Sequence, residues 1–284
     1  MTIAYDQSVC DLIRIRQSAR THTGESLEPD IVAVLNGACG QIDRGLAGEP
    51  ARFTLIEKPF VKGAKVRLGN YGLQKNPRYF FAGAVKKSDM ARESYGYLME
   101  QLVLKATELG LGTCWIGFFD RQFFADFPVA RDEIFPATCT VGHTAERRLV
   151  EKISRAAVRG DQRKDWKRLF FENDFNTPLS LAEDSPYREI LEMVRLAPSS
   201  GNSQPWRIVK DPQGPLWHFY LSKTKNLYFK AGLHHIDLGI AMCHFELAAG
   251  ESGLSGLWLQ SPSDPAGIPA DTFYIMSWME NNGG

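Results

Sequence analysis

Residues 197–206 read APSSGNSQPW. The run lacks the apolar periodicity of a helix or strand interior, and its composition is too particular for a filler loop. Pro198 and Pro205 have no N–H and push the residues before them out of the helical region, so an extended, rigid connection is expected. Between the prolines stand Ser199, Ser200, Asn202 and Gln204, short donors and acceptors on a preset backbone. Gly201 would let that backbone approach a ligand closely. A Ser/Asn/Gly/Pro cluster also reads, more plainly, as a capped turn before a strand.

Immediately upstream, Ser185-Pro186 is an N-cap with proline at the first helical position. Tyr187, Ile190, Leu191 and Val194 then fall at i, i+3, i+4, i+7, so a helix runs into 197–206. Strands are expected at 206–210 and 218–221, with Gly214-Pro215 as the turn between them. A long apolar helix follows at 236–250 and stops at Glu251-Ser252-Gly253-Leu254, and 277–284 reads as a frayed terminus.

The first half has a similar rhythm. Residues 9–15 read as a short helix. Pro29 opens another, with Ile31, Val34, Leu35 and Ala38 on one face. Strands are expected at 51–57, 78–85 and 136–142, and a long apolar helix at 95–110 ends in Glu108-Leu109-Gly110-Leu111-Gly112. With a shift of 143 residues Glu108 falls on Glu251, Gly96 on Gly239, Leu104 on Leu247, Gly110 on Gly253 and Trp115 on Trp258. With a shift of 159 the earlier helices pair, Ile31 with Ile190 and Leu35 with Val194. A repeat this long suits two diverged copies of one α+β unit rather than a solenoid.

The copies differ where chemistry is expected. Arg14, Arg16, Ser18 and Arg20 recur at every second position, which in an extended chain puts them on one side. Cations so placed are either splayed into water or held by an anion such as phosphate. The first copy carries this set but has CGQIDRGLAG where the second has PSSGNSQPW; the second copy has no arginine set. A basic connection with Lys62, Lys65, Arg67 and Asn70 could close over a ligand, or be a solvated loop. A further basic stretch runs from Arg147 to Arg168.

The 284 residues carry 33 basic and 33 acidic side chains, so overall charge does not call for nucleic acid. No stretch reaches the ~20 apolar residues of a membrane span. The N-terminus has no basic leader and apolar run, so the cytoplasm is expected. Five cysteines, odd in number and without a C-x-x-C pair, suit reduced core thiols. His234-His235 with Asp237 suggests metal ligands only weakly, because adjacent histidines project in different directions; no metal is expected. Phe118, Phe119, Phe123, Phe124 and Phe127 could line a substrate pocket, although core packing suits most of them.

Arg16-Gln17-Ser18-Ala19-Arg20 resembles the opening R-x-S-x-R pattern of the nitroreductase family of FMN-dependent oxidoreductases, and APSSGNSQPW resembles that family's flavin-contacting segment. The long helix with its GLGT exit, and RKDWKRLFFENDF at 163–175, are similar to the family's central helix and its basic arm. The resemblance covers almost the whole chain and implies an α+β, nitroreductase-like fold. It implies two tandem diverged copies, mostly antiparallel sheets flanked by helices, divided as 1–176 and 177–284 and joined as a single-chain pseudo-dimer. APSSGNSQPW would then face the arginine motif, with one FMN between them and a second site lost, and a monomer would meet the family's dimer requirement.

The resemblance also implies roles. Arg16, Gln17, Ser18 and Arg163 would grip the FMN phosphate and ring edge, with Arg147, Arg148, Arg155 and Arg159 competing for the place of Arg163. Arg20, or a lysine of the 62–70 loop beside Asn70, would stabilise the negative charge of reduced flavin at O2. The backbone at Gly117 and Phe118 would face flavin N5, where many relatives carry Glu-Gly. Pro198, Ser199, Ser200, Asn202 and Gln204 would contact the ring and ribityl chain. No acid–base catalytic residue is implied, since the flavin carries the chemistry. The expected activity is hydride transfer from NAD(P)H through FMN to a small electrophilic acceptor, nitroaromatic or quinone-like. The alternative is a flavin-binding sensor or carrier with little turnover.

Overall fold

The computed structural model describes residues 2–59, 65–66, 74–144, 162–212, 214–262 and 265–281, with 65–66 as backbone. The chain divides into two compact units, Met1–Val158 and Arg159–Gly284. The boundary expected at 176/177 therefore falls earlier, and the arm at 163–175 belongs to the second unit. The physical reason is strand pairing, since residues 170–172 of the arm hydrogen-bond along a strand of that unit.

The first unit contains α1 (Val9–Ile15), α2 (Pro29–Gln41), β1 (Ala51–Glu57), β2 (Lys65–Val66), β3 (Gln74–Lys75), β4 (Tyr79–Lys86), α3 (Ala91–Glu108), β5 (Gly112–Ile116), β6 (Glu133–Ile134) and β7 (Thr138–Gly142). Its main sheet runs β1-β4-β7-β5, antiparallel throughout, with β6 pairing the end of β4. Helix α3 is buried on nearly all its faces, as expected of a helix at the centre of a core. On α2 the buried residues are Leu35, Ala38 and Cys39, while Val34 is 41% exposed. The core stripe is thus set one position later than Ile31 and Val34 suggest, and Ile42 continues it.

The second unit contains β8 (Phe170–Glu172), α4 (Tyr187–Leu196), β9 (Trp206–Lys210), β10 (Leu216–Ser222), α5 (Asn226–Lys230), α6 (Leu233–Glu251), β11 (Gly256–Leu259) and β12 (Thr272–Glu280). Its sheet runs β11-β12-β10-β9-β8. Strand β8 pairs in parallel with β9, Phe170 opposite Ile208, and this draws the arm into the second unit. Ser185 makes no side-chain cap on α4, whose first turn is preceded by Pro186.

The expectation of a frayed end at 277–284 is overturned as far as Glu280. Strand β12 lies between β10 and β11, and Trp278 is fully buried. Trp278 packs its ring 5.1 Å from Phe245 of α6, and Phe219 packs 5.2 Å from the same ring. A large apolar side chain at the centre of a sheet contributes about 1.5–3 kcal/mol by burial, which fixes the strand despite its polar tail.

The two sheets share one order: β1-β4-β7-β5 in the first unit and β9-β10-β12-β11 in the second. The helix stops match in detail. Gly110 and Gly253 take φ of 73° and 78°, a left-handed conformation that suits glycine. Leu111 N–H donates to Ala106 and Leu254 N–H to Ala249, the same closure at a shift of 143 residues. Trp115 then donates its indole N–H to Glu100, and Trp258 to Glu246. The two acceptors lie at different heights on their helices, so the tryptophans correspond and the glutamates do not.

Candidate functional site

In the first unit α1 ends at Arg16, whose ψ of 127° turns the chain extended. Ala19 N–H donates to Thr113 O at 2.8 Å, and Lys75 N–H donates to Arg20 O at 2.9 Å. Residues 18–22 are thus laid between β5 and β3 as an extra extended segment. Arg14 is not part of it. It lies in α1 and pairs with Asp11 at 3.3 Å in a solvated i,i+3 contact, so the alternating set starts at Arg16.

Arg16, Gln17 and Ser18 line a cleft of about 360 Å³ together with Thr107, Gly110 and Thr144. The Arg16 side chain is only 7% exposed. Its Nε makes no hydrogen bond, and the nearest carboxylate oxygen, Glu100 Oε1, is 3.9 Å away. Glu100 is fully buried, and its Oε2 accepts from Trp115 at 2.8 Å. The carboxylate supplies counter-charge, but at this distance it leaves guanidinium donors unspent, which is the condition for binding another anion. Arg20 belongs to the same segment but does not line the cleft.

Gly117 and Phe118 line a different, more open cleft with Phe119, Asp120, Arg121 and Phe135. Of the phenylalanines weighed for a pocket, Phe124 and Phe127 are buried, and Phe124 packs edge-on against Phe80, Phe119 and Phe135. Their role is core packing. Asn70, Lys62, Arg67 and the arginines at 147, 148, 155 and 159 lie outside the described residues.

In the second unit the 197–206 stretch is not a simple extended connection. Ser199 is extended, with φ −151° and ψ 157°, but Ser200–Asn202 forms a single 3₁₀ turn. Gly201, Asn202 and Gln204 have φ of 56°, 53° and 45°. Positive φ at Gln204 costs on the order of 1 kcal/mol or more, and persists only where surrounding contacts dictate it. Those contacts are present: Gln204 N–H donates to Ser199 Oγ at 2.9 Å, and its Oε1 accepts from Lys164 N–H at 2.7 Å. A Cβ on Gly201 would meet the Tyr228 ring and hydroxyl at 2.7 Å, so the turn excludes a side chain there.

The side chains expected to reach outward are largely engaged within the unit. Asn202 Nδ2 donates to Gln162 O at 2.7 Å, and Arg163 Nη1 donates to Asn202 Oδ1 at 3.3 Å. Arg163 Nη2 donates to Leu196 O at 3.1 Å. Arg163 thus braces the loop, and Pro198 is half-buried at its entry.

Asp237 of α6 is the anchor. Its Oδ1 accepts from Ser200 N–H at 2.8 Å and from Ser200 Oγ at 3.1 Å. Burial raises its pKa above the usual aspartate value, while His234 and the Ser200 bonds pull it back. His234 Nδ1 approaches Asp237 Oδ2 at 3.5 Å, and its Nε2 meets Thr224 Oγ1 at 3.0 Å. These residues hold the loop, and among the described residues no group of His, Cys, Asp or Glu is arranged to hold a metal ion. At the corresponding position of α3, Ser94 Oγ accepts from Leu46 N–H at 2.9 Å and donates to Glu49 at 2.8 Å. The same helix position therefore tethers the equivalent loop in each unit.

The sequence profile of the family described as "Putative TM nitroreductase" matches residues 8–249. The chain belongs to this family. No curated protein matches it significantly. Among solved structures, a protein of Thermotoga maritima MSB8 described as a putative nitroreductase is similar with TM-score 0.54 and 17% identity, covering 98% of this chain and 96% of its own. A nitroreductase family protein from Clostridium novyi NT has TM-score 0.41 and 16% identity, over 49% of this chain and 87% of that one. A nitroreductase with bound FMN from Desulfitobacterium hafniense DCB-2 has TM-score 0.41 and 15% identity, over 51% and 93%. The likeness to the Thermotoga structure establishes the nitroreductase-like fold over almost the full chain. No helix among the described residues is long and apolar enough to cross a membrane.

For this nitroreductase-family chain, the residues missed at the sequence level are Glu100, Lys164, Arg207 and, as a loop anchor, Asp237. The available signal was a charged residue inside an apolar helix, true of both Glu100 and Asp237.

Proposed function

We propose that this chain is an FMN-dependent oxidoreductase that takes electrons from a nicotinamide donor and passes them to a small electrophilic acceptor. The observation that carries the reading is Arg16: a guanidinium nearly out of water, whose Nε makes no hydrogen bond and has Glu100 only at 3.9 Å, on the wall of a cleft shared with Gln17 and Ser18. A phosphate fits that donor set, because Arg offers a fork of N–H groups and Ser18 a hydroxyl. The bound FMN seen in the Desulfitobacterium nitroreductase supports the choice of cofactor.

When bound, FMN supplies two-electron chemistry at its ring. The chain's own residues do the rest. Arg16 and Ser18 hold the phosphate, and Glu100 balances Arg16 without occupying all its donors. The turn at 199–204 is held within the second unit by Asp237, Arg163 and Lys164. Arg20 remains the candidate for stabilising negative charge at O2.

The test is the visible spectrum of purified protein, before and after reconstitution with FMN, followed by anaerobic NADH or NADPH. A flavin band that bleaches within the mixing time of a cuvette experiment is expected. Arg16→Ala should weaken FMN binding tenfold or more, in line with the ~1.5–3 kcal/mol of a charge-assisted hydrogen bond. Circular dichroism would check that Glu100, left without its partner, has not cost the fold. Colourless protein after reconstitution would overturn the reading.

A further inference from the structure

The sheets of the two units end differently at one edge. In the second unit β9 is covered by β8, and Ile208 N–H donates to Leu169 O at 2.9 Å. In the first unit the corresponding strand, β1, pairs only with β4 among the described residues. Lys58 N–H donates to Arg78 O at 2.8 Å, and Lys86 N–H to Pro50 O at 2.9 Å. Those bonds fix the alternation along β1: Arg52, Thr54 and Ile56 turn their amides toward β4, while Phe53, Leu55 and Glu57 turn theirs outward.

Among the described residues, no group hydrogen-bonds to the outward N–H or C=O of Phe53, Leu55 or Glu57. The two ends of this edge are closed. Ala51 N–H, the next outward amide, donates to Asp43 O at 2.9 Å, and Pro59 has no N–H to offer. What lies between is a template for an added strand. The usual devices that blunt an edge are missing from it: β1 contains no proline and pairs with β4 without a bulge. Its two charged side chains are drawn aside, Arg52 to Glu133 and Glu57 to Arg78.

We propose that β1 of a second copy of this chain adds to this edge, antiparallel, about a two-fold axis at Leu55. Such a pairing closes on itself as a dimer. It sets Leu55 opposite Leu55, Phe53 opposite Glu57 and Thr54 opposite Ile56 of the other copy. Every outward amide from Phe53 to Glu57 then finds a carbonyl, and the ladder stops at Ala51 opposite Pro59, where neither residue needs a donor partner. Moving the axis to Thr54 would set Glu57 against Ala51, whose N–H is already spent on Asp43. Thr54 with Ile56 is a β-branched pair of the kind strands favour. Arg52 would meet Lys58 of the other copy, but each carries its own carboxylate, Glu133 at 2.7 Å and Asp126 at 2.5 Å. Two neutral pairs therefore meet rather than two bare cations. Leu55 and Ile56, both half-buried, would also lose contact with water.

Sedimentation velocity on the full chain over a wide range of protein concentration tests this. Wild type should sediment as a dimer at the upper end of the range. Leu55→Pro removes only an outward amide, which an edge strand tolerates. It should weaken the dimer at least tenfold while circular dichroism stays unchanged. Leu55→Cys reads the register directly. Opposed residues of a hydrogen-bonded antiparallel pair have Cα atoms about 5.5 Å apart, within reach of a disulfide. Mild oxidation should therefore link two chains of this variant, whereas wild type, whose five cysteines are all buried, should stay unlinked. A monomer at every concentration overturns the proposal, even one whose edge captures a strand of some other protein. So does a dimer that Leu55→Pro leaves intact. Should Leu55→Pro fail to fold, the Leu55→Cys crosslink decides alone, and its absence overturns the pairing.

Discussion

Asp237 carries more of the candidate site than any residue expected to touch a ligand. Its Oδ1 is the acceptor for both the backbone and the hydroxyl of Ser200, so the turn's geometry depends on an acceptor more than on a charge. Asp237→Ala should cost about 1–3 kcal/mol by leaving buried donors unsatisfied, and should weaken FMN binding by loosening the turn. Asp237→Asn keeps an acceptor and removes a buried charge, so it should cost less than half as much. Urea denaturation of the two variants decides this, and equal losses would mean that the charge matters instead. This residue was visible in the sequence only as the third member of a doubtful metal set. Neighbours within one helical turn suggest a ligand cluster, whereas Asp237 has His234 at 3.5 Å and takes its hydrogen bonds from Ser200, 37 residues away. The same holds for Lys164 and Glu100, because burial of a charge is decided by packing that no local pattern encodes. The positive φ at Asn202 and Gln204 was hidden for a related reason: prolines constrain the ends of the turn, while hydrogen bonds from Lys164 and to Asp237 set its middle.

At the level of elements, the helices and most strands were legible because their apolar spacing answers directly to burial. Strands β1 and β9 fall where alternation and bounding turns put them. Strand β12 was not legible: Ser277 is buried between Met276 and Trp278, which breaks the alternation, and a polar Asn-Asn-Gly-Gly tail follows. The paired helix stops allow a sharp comparison at one helix end. Gly250 is a helical position where an added Cβ would meet nothing within 4 Å, and Gly253 has equal space but φ of +78°. Gly250→Ala should therefore stabilise the second unit by about 0.5–1 kcal/mol through helix propensity. Gly253→Ala should destabilise it by about 1–2 kcal/mol, because the left-handed conformation penalises a Cβ. Denaturation midpoints of the two variants should move in opposite directions; a shift of the same sign would show that packing rather than backbone preference closes α6.

The whole molecule poses a question of number. Both units have the same sheet order, the same helix stop and a tether from the same helix position to the equivalent loop. Yet the two units differ in the loops that carry the polar motifs. In the first unit the loop after α2 is closed around Glu49, which is 6% exposed and accepts from Ser88, Ser94 and the backbone of Ala47. That loop has no counterpart of Ser199, Ser200 and Asn202, and the space beside Gly45 is filled by Glu49 and Ser94. The second unit has the serine turn but no counterpart of Arg16-Gln17-Ser18 before α4. With one arginine segment and one serine turn per chain, saturation should bring one FMN per chain. Absorbance of released flavin against protein mass measures the ratio directly. A ratio of two would mean that the Glu49 loop, or a cleft outside both motifs, binds flavin by another chemistry, and the inference from unequal copies to a single site would fail.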